Sequence, residues 1–144
     1  MKLSSPTFEN GGSIPIEHTC DGVDVSPSLI FSELPENAKS LALIMDDPDA
    51  PMGTWVHWVI WNIPPNITGF SQGENITFPQ GKNDFGKQKY GGPCPPSGTH
   101  RYFFKLYALD TMLDLRAGAT KRQLEKAMSG HIMVQAELMG TYSR

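Results

Sequence analysis

Cysteine is scarce in this 144-residue chain: Cys20 and Cys94 are the only two, and they lack the C-x-x-C spacing of a metal or redox motif. Two are too few for a disulfide scaffold, so reduced thiols are the expected state, with intracellular hyperthermophile proteins as the exception in which a disulfide is plausible. No apolar run approaches the roughly 18–20 residues of a membrane span. The opening Met1-Lys2-Leu3-Ser4-Ser5-Pro6-Thr7 lacks the apolar stretch of a signal peptide. Integral membrane insertion is therefore not expected, and a cytoplasmic location is. A basic excess is also missing. Twelve Lys and Arg against 15 Asp and Glu leave a formal charge of −3, which argues against bulk nucleic-acid binding but not against a local anion site. There is no Gly-Lys-Ser/Thr phosphate loop, no H-x-x-x-H metal spacing, no internal repeat and no linker. One domain spanning 1–144 is expected, at a length close to the commonest for a single core.

What the chain does have is dispersed Pro and Gly, 12 and 14 residues, which suits short strands joined by turns. Leu29-Ile30-Phe31 reads as a short strand. Lys39 to Met45 is nearly continuous in apolar residues, as in a strand covered on both faces. His57 to Ile63 is aromatic and β-branched and stops at Pro64-Pro65; Arg101 to Leu109 is a long aromatic strand. Gly69 to Pro96 has little periodicity and reads as long surface loops, which in a compact domain are usually functional. Thr120-Lys121-Arg122-Gln123 is a capping box, and Gly130 supplies a stop, so a single late helix is predicted between them. From His131 to Met139 apolar and polar residues alternate, as in a half-buried strand. The predicted class is mostly β, antiparallel, with one short late α-helix.

Chemistry concentrates at two strand ends. Asp46-Asp47-Pro48-Asp49-Ala50-Pro51 follows the apolar strand, with Trp55-Val56-His57-Trp58 just beyond; Gly98-Thr99-His100-Arg101-Tyr102 heads the later one. Aspartate before proline also forms turns, and a histidine at a strand start is often structural. Function is favoured by crowding, because carboxylates this close repel unless a cation or proton intervenes. Strand alternation puts His100 and Tyr102 on one side and Arg101 on the other, where it would pair with a loop carboxylate. Likewise His57 and Trp58 are expected on opposite faces. Trp55 and Trp58 are expected in the core, with one of them as a candidate pocket wall.

Together Asp47-Pro48-Asp49-Ala50-Pro51, Trp55-x-His57 and Gly98-Thr99-His100-Arg101-Tyr102 resemble the phosphatidylethanolamine-binding protein family, and within it the bacterial and archaeal Raf-kinase-inhibitor-like branch. Thr19-Cys20-Asp21-Gly22, Ser26-Pro27, Tyr90-Gly91-Gly92-Pro93-Cys94-Pro95-Pro96 and Leu106-Tyr107-Ala108-Leu109-Asp110 carry the likeness over nearly the whole chain. The resemblance implies a β-sandwich on a large central antiparallel sheet, with a small anion cavity lined by Asp47, Asp49, His57, His100 and Tyr102. Cys94, Pro95 and Pro96 would stand at its rim. It also implies a cis peptide in the acidic loop, for which Ala50-Pro51 is the candidate. The ligands it implies are phosphate-like anions or phospholipid head groups, with a protein kinase or protease as an inhibited partner and no cofactor. Eukaryotic members carry a C-terminal helix beside the pocket; this chain ends soon after its last predicted strand, so a more open pocket and a homodimer are expected.

Two anions about 4 Å apart repel by roughly 4 kcal/mol at an effective dielectric near 20. A phosphate beside these aspartates therefore requires a protonated His57 or His100, with the Tyr102 hydroxyl and backbone amides near Gly98 as neutral donors. Binding that strengthens from pH 8 to 6 is the corresponding expectation. The contrasting reading is a hydrolase in which two aspartates and two histidines hold a metal and activate water.

Overall fold

The computed structural model describes all 144 residues. Four strands form the large antiparallel sheet: β3 (Ser40–Asp47), β4 (Trp55–Ile63), β6 (Thr99–Leu109) and β7 (Ile132–Ser143), in the order β4-β3-β6-β7. A smaller sheet of β1 (Lys2–Ser4), β2 (Leu29–Ser32) and β5 (Gly69–Phe70) packs over it in the order β1-β2-β5. The helix α1 (Lys121–Met128) lies on the other face of the large sheet and carries the predicted capping box, Thr120 accepting from the Gln123 amide.

Two hydrophobic clusters follow from this layering. Alternate residues of β3 divide between them: Leu41, Leu43 and Met45 face the small sheet, whereas Ala42 and Ile44 face Leu124 and Met128 of the helix. Burial on both faces explains why β3 reads as an unbroken apolar run rather than an alternating one. β1 and β5, three and two residues long, were invisible to periodicity because no repeat can develop over so few positions.

β4 lies at an edge of the large sheet, and the long connection after β5 closes it. Trp61 N donates to Pro79 O, Gly81 N to Val59 O, Asp84 N to Val56 O and Gly91 N to His57 O. The segment read as surface loop thus covers exposed strand backbone that would otherwise invite pairing with another chain.

Three expectations need correction. Cys20 and Cys94 are joined in a disulfide rather than left as thiols. No peptide bond is cis, Ala50-Pro51 included. His57 and Trp58 do not point to opposite faces, because the β3–β4 register skips between Met45↔Trp58 and Asp46↔Val56. His57 is the extra residue of that β-bulge, and the bulge turns its ring to the face that Trp58 also occupies.

Candidate functional site

The inner face of the large sheet changes from apolar to polar towards one end. Along β3 it runs Leu41, Leu43, Met45, Asp47; along β6 it runs Ala108, Leu106, Phe104, Tyr102, His100. The antiparallel register, with Met45 opposite Phe104 and Asp46 opposite Phe103, brings the two polar ends together. There the core gives way to a cavity of about 270 Å³ lined by Asp47, His57, His100, Tyr102, Cys94, Pro95 and Pro96, with Ala50, Pro51, Met52, Trp55 and Phe85 completing the wall.

The floor is preorganised by hydrogen bonds. Asp47, almost fully buried, accepts from His100 Nδ1 at 2.7 Å and, through its other oxygen, from the Asp49 amide at 2.7 Å. His57 Nδ1–H donates to the Gly91 carbonyl at 2.6 Å, so Nε2 is the unprotonated nitrogen of the neutral ring. In each imidazole Nε2 has no protein partner. The His57 ring meets Tyr102 and Phe85 edge-on, with centroids 5.3 Å away in each case.

Electrostatics separates these groups. Burial pushes the His57 pKa below its usual 6.5, and this outweighs the opposing pull of the Gly91 carbonyl and the Asp47 charge. His57 therefore stays neutral near pH 7, which removes it as the cation anticipated from the sequence. Burial, reinforced by Asp47 and Asp49, raises the Tyr102 pKa, so its O–H is retained as a donor. The Cys94 backbone amide approaches this hydroxyl and opposes the rise, but it does not reach hydrogen-bond geometry, and the hydroxyl is buried without a partner.

Of the eight residues singled out in the sequence, seven surround this cavity and Asp49 does not. Asp49 turns outward and accepts from Arg101 N, Nε and Nη2 at 2.9, 2.9 and 2.8 Å. That contact holds its carboxyl at about pKa 2, and the partnership is the one expected of Arg101. The Gly98 amide is also unavailable as a cavity donor, since it donates to Arg144 O. Trp55 is the tryptophan that walls the cavity, while Trp58 lies in the core. Phe85 was missed because it comes from the aperiodic loop, where no local pattern marks the residue that folds back. Asp46, in the same acidic run, is a buried strand residue on the opposite face, paired with Lys105 at 3.2 Å and Lys121 at 2.7 Å.

The lowered His57 pKa carries a sign for stability. Above pH 6.5 the ring is neutral both folded and unfolded, so this group contributes nothing. Below 6.5 the unfolded chain takes the proton first, and stability falls with pH until the lower folded pKa is passed. Urea unfolding of the wild type should show this loss between pH 6.5 and 5, and His57→Gln should shrink it; an unchanged slope would assign the loss to other groups.

The phosphatidylethanolamine-binding protein family model matches residues 4–143. The chain belongs to that family. Within it, this chain is 53% identical over 152 residues to a UPF0098 protein of Methanothermobacter thermautotrophicus, an alignment covering 100% of this chain and 99% of the relative. A UPF0098 protein of Pyrococcus horikoshii is 50% identical, covering 100% of this chain and 77% of that one. Among solved structures, CT736 of Chlamydia trachomatis, described as a phosphatidylethanolamine-binding protein homologue, superposes with a TM-score of 0.96 at 46% identity, covering 99% and 97% of the two chains. YbcL of E. coli, described as a new member of the mammalian family, gives 0.92 at 32% identity, covering 99% and 98%. The family's two-sheet fold is thus the fold of this chain, and family membership supports a binding protein. No helix is long and apolar enough to cross a membrane.

Proposed function

We propose that this protein is a non-catalytic binding protein whose cavity receives a phosphate-type anion, carried by a phosphorylated ligand or by a partner it restrains. The observation that carries the reading is the Tyr102 hydroxyl, buried on the cavity floor with no acceptor. Such a group costs about 1–3 kcal/mol unless something bonds to it. A ligand oxygen at that point would relieve the cost, with Nε2–H of a protonated His100 as a second donor. Asp47, already bonded to His100 Nδ1, would then be half of a neutral ion pair rather than a free charge facing the anion. His57 Nε2, unprotonated, would accept from a protonated oxygen of a monoanionic phosphate. The apolar mouth of Pro51, Met52, Trp55 and Phe85 fits whatever body the anionic group is attached to.

Calorimetric titration with inorganic phosphate and with phosphoethanolamine tests this. Tyr102→Phe is expected to weaken phosphate binding about 5- to 30-fold, the equivalent of roughly 1–2 kcal/mol, while leaving stability unchanged or slightly improved. Affinity should also rise as pH falls from 8 to 6, because phosphate then gains the proton that His57 Nε2 would accept. A Tyr102→Phe protein that binds phosphate as the wild type does would reject the reading. The hydrolase alternative has no grouping of three or more His, Cys, Asp or Glu placed to hold a metal ion.

A further inference from the structure

We infer that the Cys20–Cys94 bond is a thiol–disulfide exchange site on the cavity wall, attacked at Cys20 by a dithiol reductant and controlling whether the cavity holds its anion. The gating half of this rests on the anion reading above.

The two sulfurs stand in unequal surroundings. Cys20 is an exposed residue of the segment after the short 3-10 turn at Ile16–His18, whereas Cys94 is half-buried and lines the cavity beside Pro95 and Tyr102. Arg144 places Nη1 3.7 Å from the Cys94 sulfur. Its other terminal nitrogen, Nη2, is held by Asp21 at 2.9 Å, so the guanidinium is fixed in place, although its charge is shared. A cation beside one sulfur makes that sulfur the better leaving thiolate. Access and leaving-group stability therefore agree on the direction. A reductant thiolate attacks the Cys20 sulfur, the bond between the two cysteines breaks, and Cys94 departs as a thiolate next to Arg144. The second thiol of the reductant, losing its proton, then attacks its own sulfur in the mixed disulfide and releases Cys20, which is protonated. The reductant leaves as an internal disulfide, having supplied two electrons.

Reduction alters the site in two ways. It sets a negative charge into a wall that would face the bound anion, where the two repel. It also removes the covalent tie on the segment whose backbone amide approaches the orphan Tyr102 hydroxyl. Just before the cysteine, the chain stays anchored without the disulfide: Cys20 N donates to Pro93 O and Gly92 N to Asp24 Oδ1, and Tyr90 donates to His18 O. Beyond it, the side-chain contacts of Arg144 with Cys94 and Pro95 are long, at 3.7 and 3.5 Å, until the Gly98–Arg144 backbone pair is reached. Release is therefore local to Cys94–Ser97, the stretch whose Cys94, Pro95 and Pro96 line the cavity.

The experiment has two arms on the full chain. In the first, the oxidised protein is mixed with glutathione, and the adduct is mapped by mass spectrometry. The adduct is expected on Cys20, and Arg144→Met should slow its formation several-fold; an adduct chiefly on Cys94 would overturn the direction of exchange. In the second, phosphate binding is measured at pH 7.5 with and without dithiothreitol, circular dichroism monitoring the sheets. At least ten-fold weaker binding by reduced, folded protein is expected. Equal affinities, or unfolding on reduction, would overturn the gate alone. Absence of phosphate binding by the oxidised protein would overturn the anion reading and the gate with it.

Discussion

Replacing both Cys20 and Cys94 with serine is expected to lower the free energy of unfolding by about 4 kcal/mol. The bond spans a sequence separation of 74, and closing a loop of that size removes chain entropy from the unfolded state roughly in proportion to the logarithm of its length. Against a total domain stability of roughly 5–15 kcal/mol, this is a large share. Guanidinium unfolding of the wild type with and without reductant should reproduce the difference, and reductant should have no effect on the variant. A loss under about 1 kcal/mol would mean that the native contacts around Gly92 and Tyr90 already hold the loop without covalent help. Composition argued for free thiols because two cysteines far apart in sequence carry no local sign of pairing. Only the approach of the 16–25 segment to the loop before β6 brings them together.

His100→Ala is the second large effect. Asp47 is almost wholly buried, and His100 is its only side-chain partner; the remaining contact is the Asp49 amide. Removing the ring leaves a buried carboxylate half-satisfied, which costs about 3 kcal/mol of stability. An anion in the cavity would then meet an unpaired negative charge in place of a donor, so phosphate affinity should fall by a factor of 100 or more. Adding Asp47→Asn should return part of the lost stability, because the uncompensated charge disappears. A double-mutant cycle over the pair is expected to show coupling of about 1–2 kcal/mol. Additive effects would mean that Asp47 and His100 do not act as a unit. Unchanged phosphate binding in His100→Ala would move the anion elsewhere.

The acid side of the profile has a smaller contribution from Asp49. Its carboxyl, held at about pKa 2 by Arg101, supports folding above the ordinary carboxylate range and loses that support as pH falls through 2. Because the pair lies at the surface, its worth is under about 1 kcal/mol, and Asp49→Asn should change acid stability little.

Much of the architecture was legible because it is written in short-range patterns. The continuous apolar run of β3, the aromatic alternation of β6 and the Thr120–Gln123 capping box each express a local rule, and each stands where it was read. The side of His100 and Tyr102 followed from alternation alone, as did the pairing of Arg101 with an outward carboxylate. Asp49 was misplaced because the crowding argument and family likeness both gave it the same standing as Asp47; two residues past the strand end, alternation no longer governs direction, and three donors of Arg101 decide it.

The sequence by itself determined β2 and the four strands of the large sheet, the burial of β3 on both faces, and that acidic and imidazole groups stand at strand ends. Periodicity and turn chemistry act over a few residues, and those features need nothing more. Tertiary structure alone decided that β3 and β6 lie side by side with their polar ends aligned, that a bulge at His57 turns its ring inward, that Phe85 folds back onto the cavity wall, and that Cys20 meets Cys94. It also decided the charge on His57, because a pKa is set by how deeply a ring is buried and by what faces it, and neither is a property of its neighbours in the chain.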